Sequence, residues 1–413
     1  MSDQTSNKPF KGTNLVALSD GTGNEVEKKL SNVLKLFRFA EKDENQRIFY
    51  DPGIGTVGSF SRWGRLRSKV GATFSLATGL GLDKNIVNLY RWLCENWQEG
   101  DRIWLFGYSR GAYTVRAVAG LIRVVGILRP DQSTLAEFAV KAYKTAGYTG
   151  DWSVVDNFKR VTGSRTATIH FVGVWDTVAS VIVPGWRKLV PFQLEYLPYT
   201  DKNPSVRHFR QALAIDEKRR MFRPRIWDDP QTFEANPYVR EKDEPQTIRQ
   251  VWFAGEHGDV GGGHAEADSG LAKFPLIWMA EEAKAEGLNI RTQSFNWIAK
   301  GQNRANSTQE FSKPAAVAKL HRSLSGGWLL PEILPKRNKQ SDNPKRKESW
   351  GIYLPLGEKR FIEDGALIHD SVIERAGNDA NYRPKNIPKT FRLWSDPTTI
   401  VSKKDFFPDE GSS

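Results

Sequence analysis

The stretch from Asp101 to Ala117, DRIWLFGYSRGAYTVRA, constrains the fold of this chain more than any other. A short apolar run, Ile103-Trp104-Leu105-Phe106, passes directly into Gly107-Tyr108-Ser109-Arg110-Gly111, and helical spacing begins at once with Ala112, Val115, Val118, Ala119, Leu121 and Ile122. A serine between two glycines at a strand-to-helix junction is the sequence form of a nucleophile elbow. The glycines lack a Cβ, so strand end and helix start can approach closely and the Ser109 hydroxyl is thrust outward. The helix start behind it offers unpaired N–H groups and a positive dipole end, the two things an oxyanion needs. G-x-S-x-G alone is a common pattern; its strand–turn–helix setting gives it meaning here.

The alternation seen at the elbow continues along the chain. Asn14–Leu18 reads as a strand ending in Ser19-Asp20-Gly21-Thr22-Gly23, and residues 32–39 have helical spacing. Residues 47–50 form a second strand before Asp51-Pro52-Gly53-Ile54-Gly55-Thr56, and residues 57–84 read as an inserted Gly- and Ser-rich loop. Residues 85–97 carry Ile86, Leu89, Leu93 and Trp97 on one helical stripe. Thr168–Val174 is a further apolar strand ending in Trp175-Asp176-Thr177. Residues 206–214 read as a helix. Ile248–Phe253 is a strand leading into Ala254-Gly255-Glu256-His257-Gly258-Asp259, and residues 270–285 as an amphipathic helix. Strands that are apolar throughout and alternate with helices predict an α/β fold of the α/β-hydrolase type: a mostly parallel central sheet with helices on both faces. Each polar, Gly-rich segment follows the carboxyl end of a strand, where ligands bind in such sheets. The expected organisation is a leader over 1–12, a catalytic core over 13–290, a C-terminal extension packed on the core over 291–400, and a tail over 401–413.

With 413 residues, 39% of them apolar, and 14 tryptophans, the chain can bury a full core. Its single cysteine, Cys94, excludes an internal disulfide. No run approaches the roughly 18 apolar residues of a membrane span, and the polar start MSDQTSNKPFKGT lacks the apolar core of a secretory signal. A cytoplasmic location is therefore expected, with delivery by a dedicated secretion system left open. The net charge of +12 suits an anionic partner such as a phospholipid surface, or simply a basic solvated exterior. The basic stretches at 62–69 and 336–347 lack interleaved aromatics and no nucleic-acid signature is present, so no nucleic-acid partner is expected. No GxxxxGK[ST] phosphate loop occurs.

A serine hydroxyl needs a base, and the base needs an acid that holds its tautomer. In the order Ser, acid, His, the histidines read as following a plausible acid after Ser109 are His257, His264, His321 and His369. His257 lies four residues past a strand in a Gly-rich loop and is preferred; His369 is the rival. Asp176, ending the strand after the elbow unit, is the preferred acid, while Asp259 shares the loop of His257 and reads as a turn-ordering residue. The oxyanion hole is expected from the Arg110 N–H with Gly21 or Thr22, and Asp20 is a supporting residue beside them. Arg116, like Arg110, has a side chain suited to phosphate, though such arginines more often tie loops together. His257, Asp259, His264 and Asp268 form a conceivable carboxylate–imidazole group, but the Gly261–Gly263 run between them reads as a bend that separates ligands; neither a metal nor a cofactor is expected.

Five motifs in order, Asp20-Gly21-Thr22, Tyr50 to Thr56, Gly107 to Tyr113, Val174-Trp175-Asp176-Thr177-Val178 and Gly255 to Gly263, resemble the uncharacterised α/β-hydrolase family that includes the catalytic domain of type VI secretion phospholipase effectors. Ala214 to Arg220, His369 to Val372 and Tyr382-Arg383-Pro384 are similar to the same family, so the resemblance spans roughly residues 13–390. It implies a Ser109–Asp176–His257 esterase, with lipid or phospholipid esters as the substrate class of the effector branch; peripheral contact with an anionic membrane is a separate expectation, in keeping with the basic charge. Residues 181–199, apolar, aromatic and Pro-broken, fit either a lid over the site or packing against the next element. The alternatives are a catalytically inactive binding or regulatory protein on the same fold, or an acyltransferase. Oligomeric state is not legible.

Overall fold

The computed structural model describes residues 12–21, 29–53, 81–178, 182–184, 192–194, 197–236, 244–305, 307–324, 329–333, 336–337, 343 and 352–407. Residues 57–80 of the expected loop over 57–84, the basic stretch at 62–69, most of that at 336–347 and most of the 181–199 segment lie outside those residues, as does Thr22; the end of that expected loop, from Leu82, is already helical.

Nine strands form the central sheet: β1 (Asn14–Ser19), β2 (Gln46–Asp51), β3 (Arg102–Tyr108), β4 (Ile169–Trp175), β5 (Val206–Ala214), β6 (Thr247–Phe253), β7 (Ala366–Ile368), β8 (Thr390–Leu393) and β9 (Ile400–Ser402). Their order is β9-β8-β7-β6-β5-β4-β3-β1-β2. Every pair is parallel except β8 with β9. The α/β-hydrolase-like expectation holds: a mostly parallel sheet covered on both faces.

Side-chain alternation along the strands builds the two layers. Leu15, Ala17, Ile103, Leu105, Val172 and Val174 face one side, where they pack with α2 (Leu82–Asn96), α3 (Arg110–Val125), α4 (Ala136–Thr149) and α5 (Ser153–Thr162). Val16, Leu18, Trp104, Phe106, Phe171 and Trp175 face the other and meet α1 (Asn32–Phe39), α7 (Gly270–Ala285) and α8 (Thr292–Ile298). Strands buried on both faces must be apolar at every position, which is why β1, β3 and β4 read as continuous hydrophobic runs. Cys94 is buried within α2.

The segment 206–214 corrects the sequence reading: it is strand β5, at the middle of the sheet, and not a helix. Its Val206, Phe209 and Ala212 fall at a spacing of three, and its arginine, glutamine and alanines favour helix. Tertiary partners override that preference. The fully buried Arg210 pairs with Glu282 of α7, and the Gln211 amide donates to the Arg225 carbonyl at 3.1 Å. Central pairing with β4 and β6 supplies the backbone bonds.

Residues 366–402 add strands to the same sheet, with the loops before them reaching across the carboxyl ends of β4 and β5. A third apolar cluster joins them to the body through Leu213, Trp252, Ile368, Val372 and Phe391. No helix among the described residues is long and apolar enough to cross a membrane.

The crossing of β3 into α3 leaves no room for side chains. A Cβ on Gly111 would lie 2.0 Å from the Ser19 carbonyl oxygen, and one on Gly107 would lie 2.4 Å from that of Gly111. Both obstacles are backbone, so neither can yield cheaply. Gly111→Ala should lower the urea-unfolding free energy by at least about 3 kcal/mol or abolish soluble folding; an unchanged urea midpoint would show that the close approach is not required.

Candidate active site

Ser109 sits between β3 and α3 with φ 58° and ψ −121°. A non-glycine residue at positive φ carries strain of about 1–3 kcal/mol, here held in place by the Ser109 N–H bond to the Trp175 carbonyl at 3.1 Å. That conformation turns the hydroxyl away from the helix and toward His257.

The His257 Nε2 lies 2.8 Å from Ser109 Oγ, and its Nδ1 lies 2.6 Å from Asp176 Oδ2. Three side chains from the ends of β3, β4 and the loop after β6 thus meet at the carboxyl edge of the sheet, where the parallel architecture places ligand sites. The two ring nitrogens therefore have different partners. With Nδ1 protonated toward the carboxylate, Nε2 presents a lone pair to the serine hydroxyl.

The histidine is fixed by a short helix, α6 (His257–Gly261). Glu256 caps it, and the Asp259 carboxylate accepts the Glu256 N–H at 3.0 Å in a reciprocal capping box. The His257 N–H is bound by Glu217 Oε2 at 3.2 Å, and Glu217 is paired in turn with Arg219 at 2.7 Å. Tyr108 and Phe222 flank the imidazole, each with ring centroids 4.7 Å away. Gly261 permits the Tyr108 contact, since a Cβ there would lie 1.8 Å from that ring.

Asp176 is wholly buried, also at positive φ (41°). Its Oδ1 accepts the Ala214 N–H at 3.1 Å, and both oxygens accept from Arg360, Nη2 reaching Oδ2 at 2.9 Å and Nη1 reaching Oδ1. Burial would raise its pKa, but the Arg360 charge and the His257 bond outweigh it and hold the carboxyl well below the usual carboxylate range. Burial lowers the His257 pKa, opposed by Asp176.

The other expected site residues divide by position. The Gly21 loop reaches Ser109, with a Cβ at Gly21 falling 3.3 Å from that of Ser109. However, the Gly21 N–H points to its neighbour, Asp20 Oδ1, at 2.7 Å. Asp20 is buried and also accepts from Tyr50 Oη at 2.8 Å and from Ser31 Oγ, so it braces the loop after β1. Arg110 opens α3, where first-turn N–H groups have no intrahelical acceptor. His369 is placed apart from Ser109: its ring accepts the Ser371 N–H as the N-cap of α9 (Asp370–Asn378) and stacks on Phe253. Arg116 is fully buried and binds the carbonyls of Thr200 and Arg225, so it joins loops.

The glycine bend after α6 does not separate the histidine–carboxylate group. Asp259, His264 and His321 have donor atoms within 4.8 Å of one another, while His257 turns to Ser109. The two imidazoles are stacked at 3.6 Å with their planes only 9° apart. The His321 Nδ1 bonds Asp259 Oδ1 at 2.6 Å. That bond ties residue 321 to α6, while the His264 Nε2 lies 3.8 Å from the same carboxylate oxygen.

Sequence reasoning missed Arg360, Glu217 and Arg219 as site components. Glu217 and Arg219 stand in a charged run, Asp216 to Arg220, that resembles an ordinary solvated turn. Arg360 lies in Glu358-Lys359-Arg360, again without any local mark of burial.

A family model described as T6SS, Phospholipase effector Tle1-like, catalytic domain, matches residues 13–282. An uncharacterized protein of Saccharomyces cerevisiae is 31% identical over 231 residues, covering 51% of this chain and 32% of the yeast protein. Among solved structures, an uncharacterized protein from Pseudomonas aeruginosa aligns with TM-score 0.34 and 16% identity, over 68% of this chain and 46% of that one. The Tle1 effector bound to the VgrG spike from the Type 6 secretion system aligns with TM-score 0.32 and 16% identity, over 64% and 54%. The chain spans about a third of the curated relative's length and about half of each solved one.

The Asp176–Arg360 pair yields a stability test. Asp176→Ala leaves the Arg360 guanidinium buried without its counter-charge, and should cost about 3–5 kcal/mol in urea unfolding. A loss below 1 kcal/mol would mean that water or another anion replaces the carboxylate.

Proposed function

The chain belongs to the Tle1-like T6SS phospholipase effector catalytic-domain family, and from that premise we propose that it hydrolyses carboxylic ester bonds of lipids through an acyl-enzyme on Ser109. The observation that carries this reading is the continuous hydrogen-bonded line from Ser109 Oγ through His257 to Asp176, at 2.8 and 2.6 Å.

In the proposed reaction Ser109 Oγ attacks the ester carbonyl carbon while its proton passes to His257 Nε2. Asp176 keeps Nδ1 protonated and stabilises the imidazolium. Charge develops on the carbonyl oxygen, and the Arg110 N–H at the start of α3 is the assigned donor to it. The Gly21 N–H can join only by leaving Asp20 Oδ1, so a second donor from this loop requires the substrate to displace that 2.7 Å bond. Collapse of the tetrahedral intermediate breaks the ester C–O bond, and the imidazolium gives its proton to the departing alcohol. A water molecule, deprotonated by the same His257, then releases the fatty acid and restores Ser109.

Support for a lipid ester comes from the family, whose description is that of a Tle1-like phospholipase effector catalytic domain. The excess of 60 Lys and Arg over 48 Asp and Glu supports transient contact with an anionic membrane surface, where such esters reside.

Two measurements test the reading. Ser109→Ala should abolish hydrolysis of p-nitrophenyl butyrate and of phosphatidylglycerol vesicles, and should lose labelling by a fluorophosphonate probe, with circular dichroism unchanged; retained turnover in a folded variant would overturn it. Because the base must be neutral and burial lowers the His257 pKa, the acid limb of kcat/KM should fall below pH about 6.5, the ordinary histidine value. A limb above pH 7 would contradict this electrostatic account of the site.

A further inference from the structure

We propose that Arg360 is a positioning residue of this active site, clamping Asp176 through a two-pronged bond and balancing its charge so that His257 stays available as a base. This inference rests on the serine-hydrolase reading above. It goes beyond that reading because Arg360 lies outside residues 13–282, the region that the family model matches, so a segment after it supplies part of the site.

The side chain is 1% exposed and its guanidinium makes four contacts within the catalytic machinery. Nη1 donates to Asp176 Oδ1 and to the Ala214 carbonyl at 2.9 Å; Nη2 donates to Asp176 Oδ2 at 2.9 Å and to the Phe222 carbonyl. A planar fork that meets both carboxylate oxygens fixes the plane of the acid, which a single-point donor such as lysine cannot do. One guanidinium thereby joins the end of β4, the end of β5 and the turn carrying Phe222, whose ring packs edge-on against His257.

Arg360 is itself held. Its carbonyl accepts from Asn386 Nδ2 at 3.2 Å, while the adjoining Lys359 carbonyl accepts from Arg223 at 3.0 Å and Glu358 pairs with the same arginine at 2.7 Å. Other contacts from the same half of the chain brace the loops around the histidine. Tyr382 Oη donates to Asp216 at 2.9 Å, and Asp216 accepts the Gly255 N–H at 2.8 Å.

The charges facing the imidazole are balanced. Asp176 and Glu217 are the adjacent carboxylates, Arg360 and Arg219 their respective partners, and the Tyr108 ring and hydroxyl lie between. Glu256, the N-cap residue immediately before His257, accepts the Ser323 N–H. Removing the Arg360 charge leaves one net negative charge against His257 in a buried setting, which favours the imidazolium. The free base would then persist only at higher pH.

The decisive comparison is kcat and KM for p-nitrophenyl butyrate from pH 4 to 9 in wild type, Arg360→Gln and Arg360→Lys, with His257 titration followed by NMR in each. Arg360→Gln should lower kcat at least about tenfold with little change in KM, and should move the acid limb and the NMR titration upward by about one pH unit. Arg360→Lys should keep the limb near wild type yet lose part of kcat, because it retains charge without the fork. Wild-type kcat and an unshifted titration in folded Arg360→Gln would overturn the proposal. If Arg360→Gln does not fold, Arg360→Lys decides: an undiminished kcat counts against the clamp. Turnover surviving in Ser109→Ala is a different failure, that of the serine-hydrolase reading, and leaves the NMR shift as the judge of Arg360.

Discussion

Everything at the carboxyl edge of this sheet depends on how closely one helix can approach two strands. At Gly111 the helix backbone passes within reach of the Ser19 carbonyl, and at Gly107 the outgoing strand meets the incoming helix turn. That contact forces the intervening residue into a left-handed conformation. A serine there projects its hydroxyl clear of the sheet and beside the first N–H groups of a 16-residue helix. The strain is local, and the surrounding apolar layers hold it, since β3 is buried on both faces between β1 and β4.

The nucleophile gains chemical meaning from its neighbours. The parallel sheet delivers the ends of β3, β4 and β6 to one rim, so residues 109, 176 and 257 become neighbours without any local sequence relation. Placing a carboxylate and an imidazole in that dry rim carries an electrostatic cost, because a buried charge is stable only when matched. The molecule matches each: Asp176 with Arg360, Glu217 with Arg219. Farther back, Lys35 and Lys273 share Glu266, with Lys273 pushed down to about 7 mainly by burial and by the neighbouring Lys35. Buried ion pairs of this kind contribute little net stability but fix geometry, and at Asp176 geometry is what the proposed reaction requires.

How much of this was readable in the sequence follows from the range of each interaction. The elbow, the strands β1 to β4 and the alternation of strands with helices are short-range patterns, and they are present as predicted. His257 and Asp176 were legible through position, each just past a strand end. Strand β5 was not, because its helical spacing yields to Glu282 and to two neighbouring strands, none of which lies nearby in the chain. Arg360 was least legible of all: it stands 184 residues from Asp176 in a charged stretch that looks solvated. The sequence also did not show that the His369 ring caps α9.

The account's central claim is a covalent step at one oxygen atom. Rapid quenching of the full chain with a phospholipid or a slow ester, followed by mass spectrometry of the intact protein and its peptides, reads that step directly. The account predicts a transient acyl mass on the peptide containing Ser109, absent after Ser109→Ala and formed far more slowly when His257 is replaced, because the same base is needed to make the adduct. Ester turnover with no acyl adduct on that peptide, or an adduct on another residue, would contradict it.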